Sequence, residues 1–209
     1  MRFKSIVLCA AIVPLFTCEP ANAARIADPS LGLTIEIPSD WSELPTTAVN
    51  NDTGSFERDN PELADAVRNH GFIPNHLFGR TPNPASLFAA SVNLSRQAAT
   101  RVKGQSDRQA LLAFLNTRKM PTADLLAPPE IVTVSGKVTG HLRLRMNLNA
   151  GDTSIPVTME EWVIPRGTYY LVVGASYHTD PASGDRAEVM EIVNSLHFTE
   201  SPAASPEKS

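Results

Sequence analysis

The residues best equipped for chemistry are five histidines: His70, His76, His141, His178 and His197. A metal centre would need two imidazoles on one face. No pair shows the H-E-x-x-H or i, i+4 helical spacing that provides this. His70 and His76 flank Phe72-Ile73-Pro74, a proline-bearing stretch that imposes no ligand geometry, so surface loop histidines are the plainer reading. A nucleophile elbow would place glycine two residues after its serine. Gly174-Ala175-Ser176-Tyr177-His178 has histidine there, inside a strand-like run. Ser176 and His178 share one strand face about 7 Å apart, beyond a direct serine–base hydrogen bond. Phosphate-cradling motifs are missing too, and Gly136-Lys137 reads as a simple turn. The sequence therefore assigns no catalytic residue, no metal ligand and no cofactor.

Binding chemistry is better represented. His141, Arg143, Arg145 and Asn147 alternate along one segment, and Thr158, Glu160 and Trp162 along the next. If Leu144 and Met146 pair with Val157 and Met159, Arg143 falls across from Glu160 and His141 across from Trp162. His141, Arg143, Arg145, Glu160 and Trp162 then form one patch. Arginine and tryptophan dominate protein–protein hot spots. A solvated sheet face held by cross-strand pairs, at roughly 0.2–1 kcal/mol each, is the alternative. A helix laid over this face would instead leave Arg143 and Arg145 at its margin.

The elements that carry this patch are legible from periodicity. His141 to Leu148 alternates apolar and polar residues without a break, the pattern of a strand with Leu142, Leu144, Met146 and Leu148 turned inward. After the turn-forming Asn149-Ala150-Gly151-Asp152, the chain returns as Ile155 to Ile164. It turns again at Pro165-Arg166-Gly167 and runs on from Thr168 to Tyr177. Asp185 to Leu196 reads as a helix with Val189, Ile192, Val193 and Leu196 on one face and acids toward its N-terminus.

Upstream, Leu33, Ile35 and Ile37 mark a strand within Ala24–Ser39. Trp41 just beyond it is expected to pack at a core edge with its N–H at the rim. Residues 42–59 read as loop, with a short strand near Ser55-Phe56. Asn60-Pro61-Glu62 begins a short helix, Pro61–Asn69. The prolines of Phe72–Pro84 allow only a short extended piece, and Ser86–Leu94 reads as a strand. Ser106-Asp107-Arg108-Gln109 is a capping box for a helix over Asp107–Lys119. Leu125–Pro129 connects to a strand at Ile131–Ser135.

The N-terminus indicates export. Arg2 and Lys4 precede an apolar run, Ser5 to Phe16, and Ala21-Asn22-Ala23 has the form that signal peptidase cuts after. The run is about a dozen residues, too short for a hydrocarbon core of about 30 Å. A lipoprotein box with Cys18 as the lipidated residue is the alternative, although Thr17 fits it poorly. Both cysteines, Cys9 and Cys18, fall within residues 1–23, so the exported chain has no disulfide to lean on. The roughly 185 residues that remain suffice for one domain, residues 24–199. Residues 200–209 have tail composition. Removing Arg2, Lys4 and Glu19 takes the formal charge of −4 to −5, which favours neither nucleic acid nor anionic membrane.

Gly32-Leu33-Thr34-Ile35-Glu36-Ile37-Pro38-Ser39-Asp40-Trp41 near the start, and Gly167-Thr168-Tyr169-Tyr170-Leu171-Val172-Val173 with Ile192-Val193-Asn194-Ser195-Leu196-His197-Phe198 near the end, resemble the PsbP-like group, which includes DcrB-type envelope proteins. The resemblance covers about a quarter of the chain and rests on packing residues. It implies a single α/β/α sandwich with a mostly antiparallel sheet, and a non-catalytic accessory protein that binds another envelope protein or assembly. No functional residue of the group can be carried over. The expectation is an exported, periplasmic interaction protein. A periplasmic small-ligand binding protein or hydrolase is the alternative.

Overall fold

Alternating residues build the sheet strands, and two amphipathic helices close its faces. The computed structural model describes residues 23–44, 74–81, 88–99, 104–118, 123–150 and 152–199. The expected signal peptide, Pro61–Asn69 helix, strand near Ser55 and C-terminal tail therefore lie outside the described residues.

The strands are β1 Ala24–Asp28, β2 Leu33–Ile37, β3 Trp41–Glu43, β4 His76–Arg80, β5 Ser91–Ala98, β6 Asp124–Leu125, β7 Glu130–Val134, β8 Lys137–Ala150, β9 Thr153–Arg166, β10 Tyr169–His178 and β11 His197–Phe198. The helices are α1 Asp107–Thr117 and α2 Asp185–Asn194, the latter preceded by a 3-10 turn at Pro181–Ser183. A three-stranded sheet has the order β1-β2-β11. The main eight-stranded sheet runs β3-β4-β5-β10-β9-β8-β6, with β7 also paired to β8. Every described pairing is antiparallel.

The expected meander is present. Leu144 pairs with Met159 and Met146 with Val157, so Arg143 faces Glu160 and His141 faces Trp162 across the β8–β9 ladder. Leu142 and Leu144 point to the α1 side, where they pack with Leu111, Leu115, Val163, Tyr170 and Val172. Gly140 lets this helix sit close: a Cβ there would stand 3.0 Å from Leu115 Cδ1. The other face of the sheet meets α2 and the small sheet. Leu33, Ile35 and Ile37 of β2 join Val189, Ile192, Val193 and Leu196 over Trp162, Ile164, Leu171 and Val173. The result is an α/β/α sandwich whose second outer layer includes the N-terminal hairpin.

Local chemistry explains the boundaries. The capping box at α1 forms in both directions, Gln109 N–H to Ser106 Oγ and Ser106 N–H to Gln109 Oε1. Between β7 and β8, Ser135 and Gly136 both take positive φ, 47° and 73°, as a two-residue hairpin turn requires. Trp41 is buried, and its indole N–H donates to Glu188 at 3.1 Å, which is the expected rim position.

Several strands differ from their sequence reading: Ala24–Ser39 holds two paired strands, β1 and β2, and β3 and β6 take in Ser42-Glu43 and Leu125, read as loop and connector. Phe88–Ala90 are not strand, and β5 runs on to Ala98. Pairing with β10 from Ser176 back to Tyr169 holds the polar run Ser95-Arg96-Gln97 in the ladder. That polar run had hidden the continuation. Among the described residues no helix is long and apolar enough to cross a membrane.

Candidate functional site

The predicted patch is brought together by register, but most of it is not surface. His141 is 8% exposed, Glu160 0% and Trp162 2%. The helix-covered arrangement is the one realised, with α2 and the small sheet packed over this face. Arg143 is half-buried at the margin, and Arg145 keeps half of its side chain exposed, 3.3 Å from Asp124. The expectation of a wet face is corrected on this point: alternation along β8 reports two different buried environments, one apolar and one polar.

Glu160 is the centre of the polar side. His141 Nε2 lies 2.7 Å from Oε1, Arg186 Nη2 donates to Oε1 at 3.1 Å and its Nε to Oε2 at 3.3 Å, and the Tyr177 hydroxyl donates to Oε2. The second ring nitrogen of His141 lies 3.0 Å from Glu130 Oε1, and the ring stacks on Trp162 with centroids 5.5 Å apart. Arg143 stands across from Glu160 without joining it. Its Nε is buried and has no hydrogen-bond partner.

Electrostatics fix the protonation states of this cluster. Burial by itself would raise the Glu160 pKa, but hydrogen bonds from His141, Tyr177 and Arg186 outweigh it and hold the group at about 2. Burial and the neighbouring Glu160 charge push the Tyr177 phenol well above its ordinary range. Burial opposes a charge on His141, yet the Glu160 and Glu130 carboxylates raise its pKa from the ordinary 6.5. Near neutral pH the carboxylate is ionised and the phenol is protonated. The cluster is an ionic joint between β8, β9, β10, α2 and, through Glu130, β7.

Glu130, Tyr177 and Arg186 were not anticipated from the sequence. Glu130 faces His141 in the β7–β8 ladder, and Tyr177 follows the inward parity of Val173 and Ala175. A hairpin register for β7–β8 could have found Glu130. Nothing in the spacing of Arg186 signals its reach across from a helix.

A second ionic group stands at the start of α2. Arg80 reaches Asp185 at 2.9 Å, Glu188 at 2.8 Å and Asp40 at 3.3 Å, and His178 Nδ1 lies 2.7 Å from Asp185 Oδ2. Ser176 lies two residues away from His178 on the same strand face. Among the described residues, no group of three or more His, Cys, Asp or Glu is placed to hold a metal ion.

Two partly exposed leucines lie on and after β6, with Leu125 on the Leu144 face of the sheet and Leu126, whose N–H bonds the Arg143 carbonyl, on the face of Arg145. Leu125 is 40% and Leu126 37% exposed on and just after β6, which pairs with Arg145 and Leu144. Leu148–Ala150 of β8 and Thr153–Ile155 of β9 lie outside the ladders of the other described strands, the Pro156 carbonyl still accepting from Thr179 N–H at 3.1 Å just past β10. This two-stranded end extends past the β10 ladder by about 10 Å.

No protein-family model matches the chain. No curated protein sequence matches it either. Among solved structures, it is similar to a protein from Bacteroides thetaiotaomicron VPI-5482, with 13% identity and a TM-score of 0.47 over 89% of this chain; it spans 52% of that protein's length. It is also similar to LpqN of Mycobacterium tuberculosis, described as involved in cell envelope biogenesis, with 15% identity and a TM-score of 0.47 over 85% of this chain and 91% of that one. Cyanobacterial PsbP from Synechocystis sp. PCC 6803 shows 13% identity and a TM-score of 0.47 over 90% of this chain and 99% of that one.

Proposed function

We propose that this protein is an exported, non-enzymatic interaction protein of the cell envelope. It docks on a partner protein through the corner formed by β6 and the adjoining end of the β8–β9 ribbon. The observation that carries this reading is the ribbon itself. A two-stranded ribbon is marginal on its own in water, and here its end lies outside the ladders of the other described strands, with Arg145 and Leu126 at its root. A half-exposed arginine at such an edge is the residue type that anchors protein interfaces. The export reading rests on Arg2, Lys4, the Ser5–Phe16 apolar run and the Ala21-Asn22-Ala23 site, with cleavage after Ala23.

The test is capture of a partner by the mature chain from envelope extracts, repeated with Arg145→Glu combined with Leu126→Ser. Loss of the partner at an unchanged melting temperature supports the corner as the docking surface. Equal capture by both proteins rejects it. Failure to retain any partner, together with turnover of a small molecule, reverses the functional reading.

A second reading, small-ligand binding, is favoured by a different observation. Asn93 Oδ1, Ser95 Oγ and the Tyr170 hydroxyl are buried without hydrogen-bond partners. In the β5–β10 register Gly174 faces Asn93, Val172 faces Ser95 and Tyr170 faces Gln97, so all three unmet groups belong to the α1 side of the sheet. Each unmet group costs about 1–3 kcal/mol. A bound polar ligand or water would relieve that cost.

A further inference from the structure

His76 stands between the two sheets. It lies on β4 of the main sheet, and its Nε2 is 2.9 Å from Asp28 Oδ2 at the end of β1, in the small sheet. Its Nδ1 is 2.7 Å from Glu43 Oε1 on β3. A neutral imidazole carries a single N–H, and its other nitrogen is an acceptor. Two carboxylates can be satisfied together only by the imidazolium, which donates from both nitrogens. Asp28 is itself prepared for this role. Its other oxygen accepts from Ser30 N–H at 2.7 Å, Ser30 Oγ at 2.6 Å and Leu31 N–H at 3.1 Å, so the carboxylate is held ionised and aimed.

We propose that His76 is a proton-operated clasp that fastens the N-terminal β1–β2 hairpin to the main sheet and loosens as the ring loses its proton. The charged groups that meet it are Asp28 from β1 and Glu43 from β3. On its own strand the ring stacks over Phe78, with centroids 5.8 Å apart. From β5 it faces the apolar Leu94, and the one charged side chain of that strand, Arg96, lies over the Tyr169 ring at 4.3 Å. No cation therefore comes from β5 to compete with the imidazolium. Burial opposes the charge, but the bonds to Glu43 and Asp28 outweigh it and raise the His76 pKa above 6.5.

The sign follows from that direction. The clasp is fully closed below 6.5, the value of the free ring, and opens as pH climbs through the higher folded value. Above it, one of the two carboxylates loses its donor. The edge strand β1, mostly exposed, is the element released.

NMR titration of the His76 ring, with amide-exchange protection of β1 corrected for the intrinsic rate at each pH, reads this directly. In the wild type, β1 protection should fall about tenfold for each pKa unit by which His76 is raised. The His76→Gln variant should show low β1 protection that does not change over that window. Glu43→Gln, a milder change at a half-exposed site, should lower the ring pKa and narrow the window while the fold persists. A His76 pKa at or below 6.5 overturns the proposal, as does β1 protection that tracks pH equally in wild type and His76→Gln.

Discussion

His141 Nε2 lies 2.7 Å from Glu160 Oε1 across a diagonal of the β8–β9 ladder, and the carboxylate is fully buried. One histidine thereby joins Glu160, under α2, to Glu130 on β7. The pair converts a stretch that reads as solvent-facing into part of the protein's interior.

Removing the negative member should be costly. Glu160→Gln takes from His141 and the half-exposed Arg186 the charge that holds them, and losing such charge-assisted hydrogen bonds costs roughly 1–3 kcal/mol. Urea denaturation of the variant against wild type measures it. A loss below about 1 kcal/mol would show that the network contributes little beyond a neutral hydrogen-bonded one.

The same group sets an acid limit. Glu160 falls from an ordinary 4.5 to about 2 in the fold. Its contribution is therefore present above 4.5 and is lost as pH falls toward 2. Denaturation midpoints followed from pH 6 to pH 2 should decline in the wild type, at about the pH values bounded by those two constants. In Glu160→Gln the decline should be visibly shallower.

His141 acts in the opposite direction. Its folded pKa is raised, so its contribution is complete below 6.5 and fades as pH rises through the folded value. His141→Gln should flatten the alkaline side of the stability profile. Identical profiles for the two proteins would mean that the ring is neutral in the fold.

On the other face of β8 the prediction concerns the core. Leu144 is buried against the α1 side, and Leu144→Asp places an unpaired carboxylate there. A penalty of several kcal/mol should unfold the protein. A wild-type melting curve for this variant would contradict the assignment of that face.

A smaller effect is expected at the start of α1. Ser106→Ala removes the side-chain acceptor for the Gln109 N–H and should cost about 1 kcal/mol. A change in urea midpoint without a change in slope would attribute the loss to native stability.

Local patterns determine much of this architecture. The odd–even rhythm of Leu142, Leu144 and Met146 specifies a strand, because a one-residue slip would turn the whole apolar set outward. The same rhythm, carried into Val157 and Met159, specifies the β8–β9 register, including Arg143 across from Glu160. Ser106 with Gln109, and Val189 with Ile192 and Val193, declare their helices by chemistry confined to one or two turns. What lies over the polar side of β8 is a different kind of fact. His141, Glu160 and Trp162 carry the same alternation whether water or a helix covers them. Tertiary packing decided in favour of α2, through Arg186 and Tyr177, which are remote in sequence and unmarked by spacing. Burial of charge depends on partners that meet only after folding, so periodicity could place these side chains on one face but could not reveal that the face was closed.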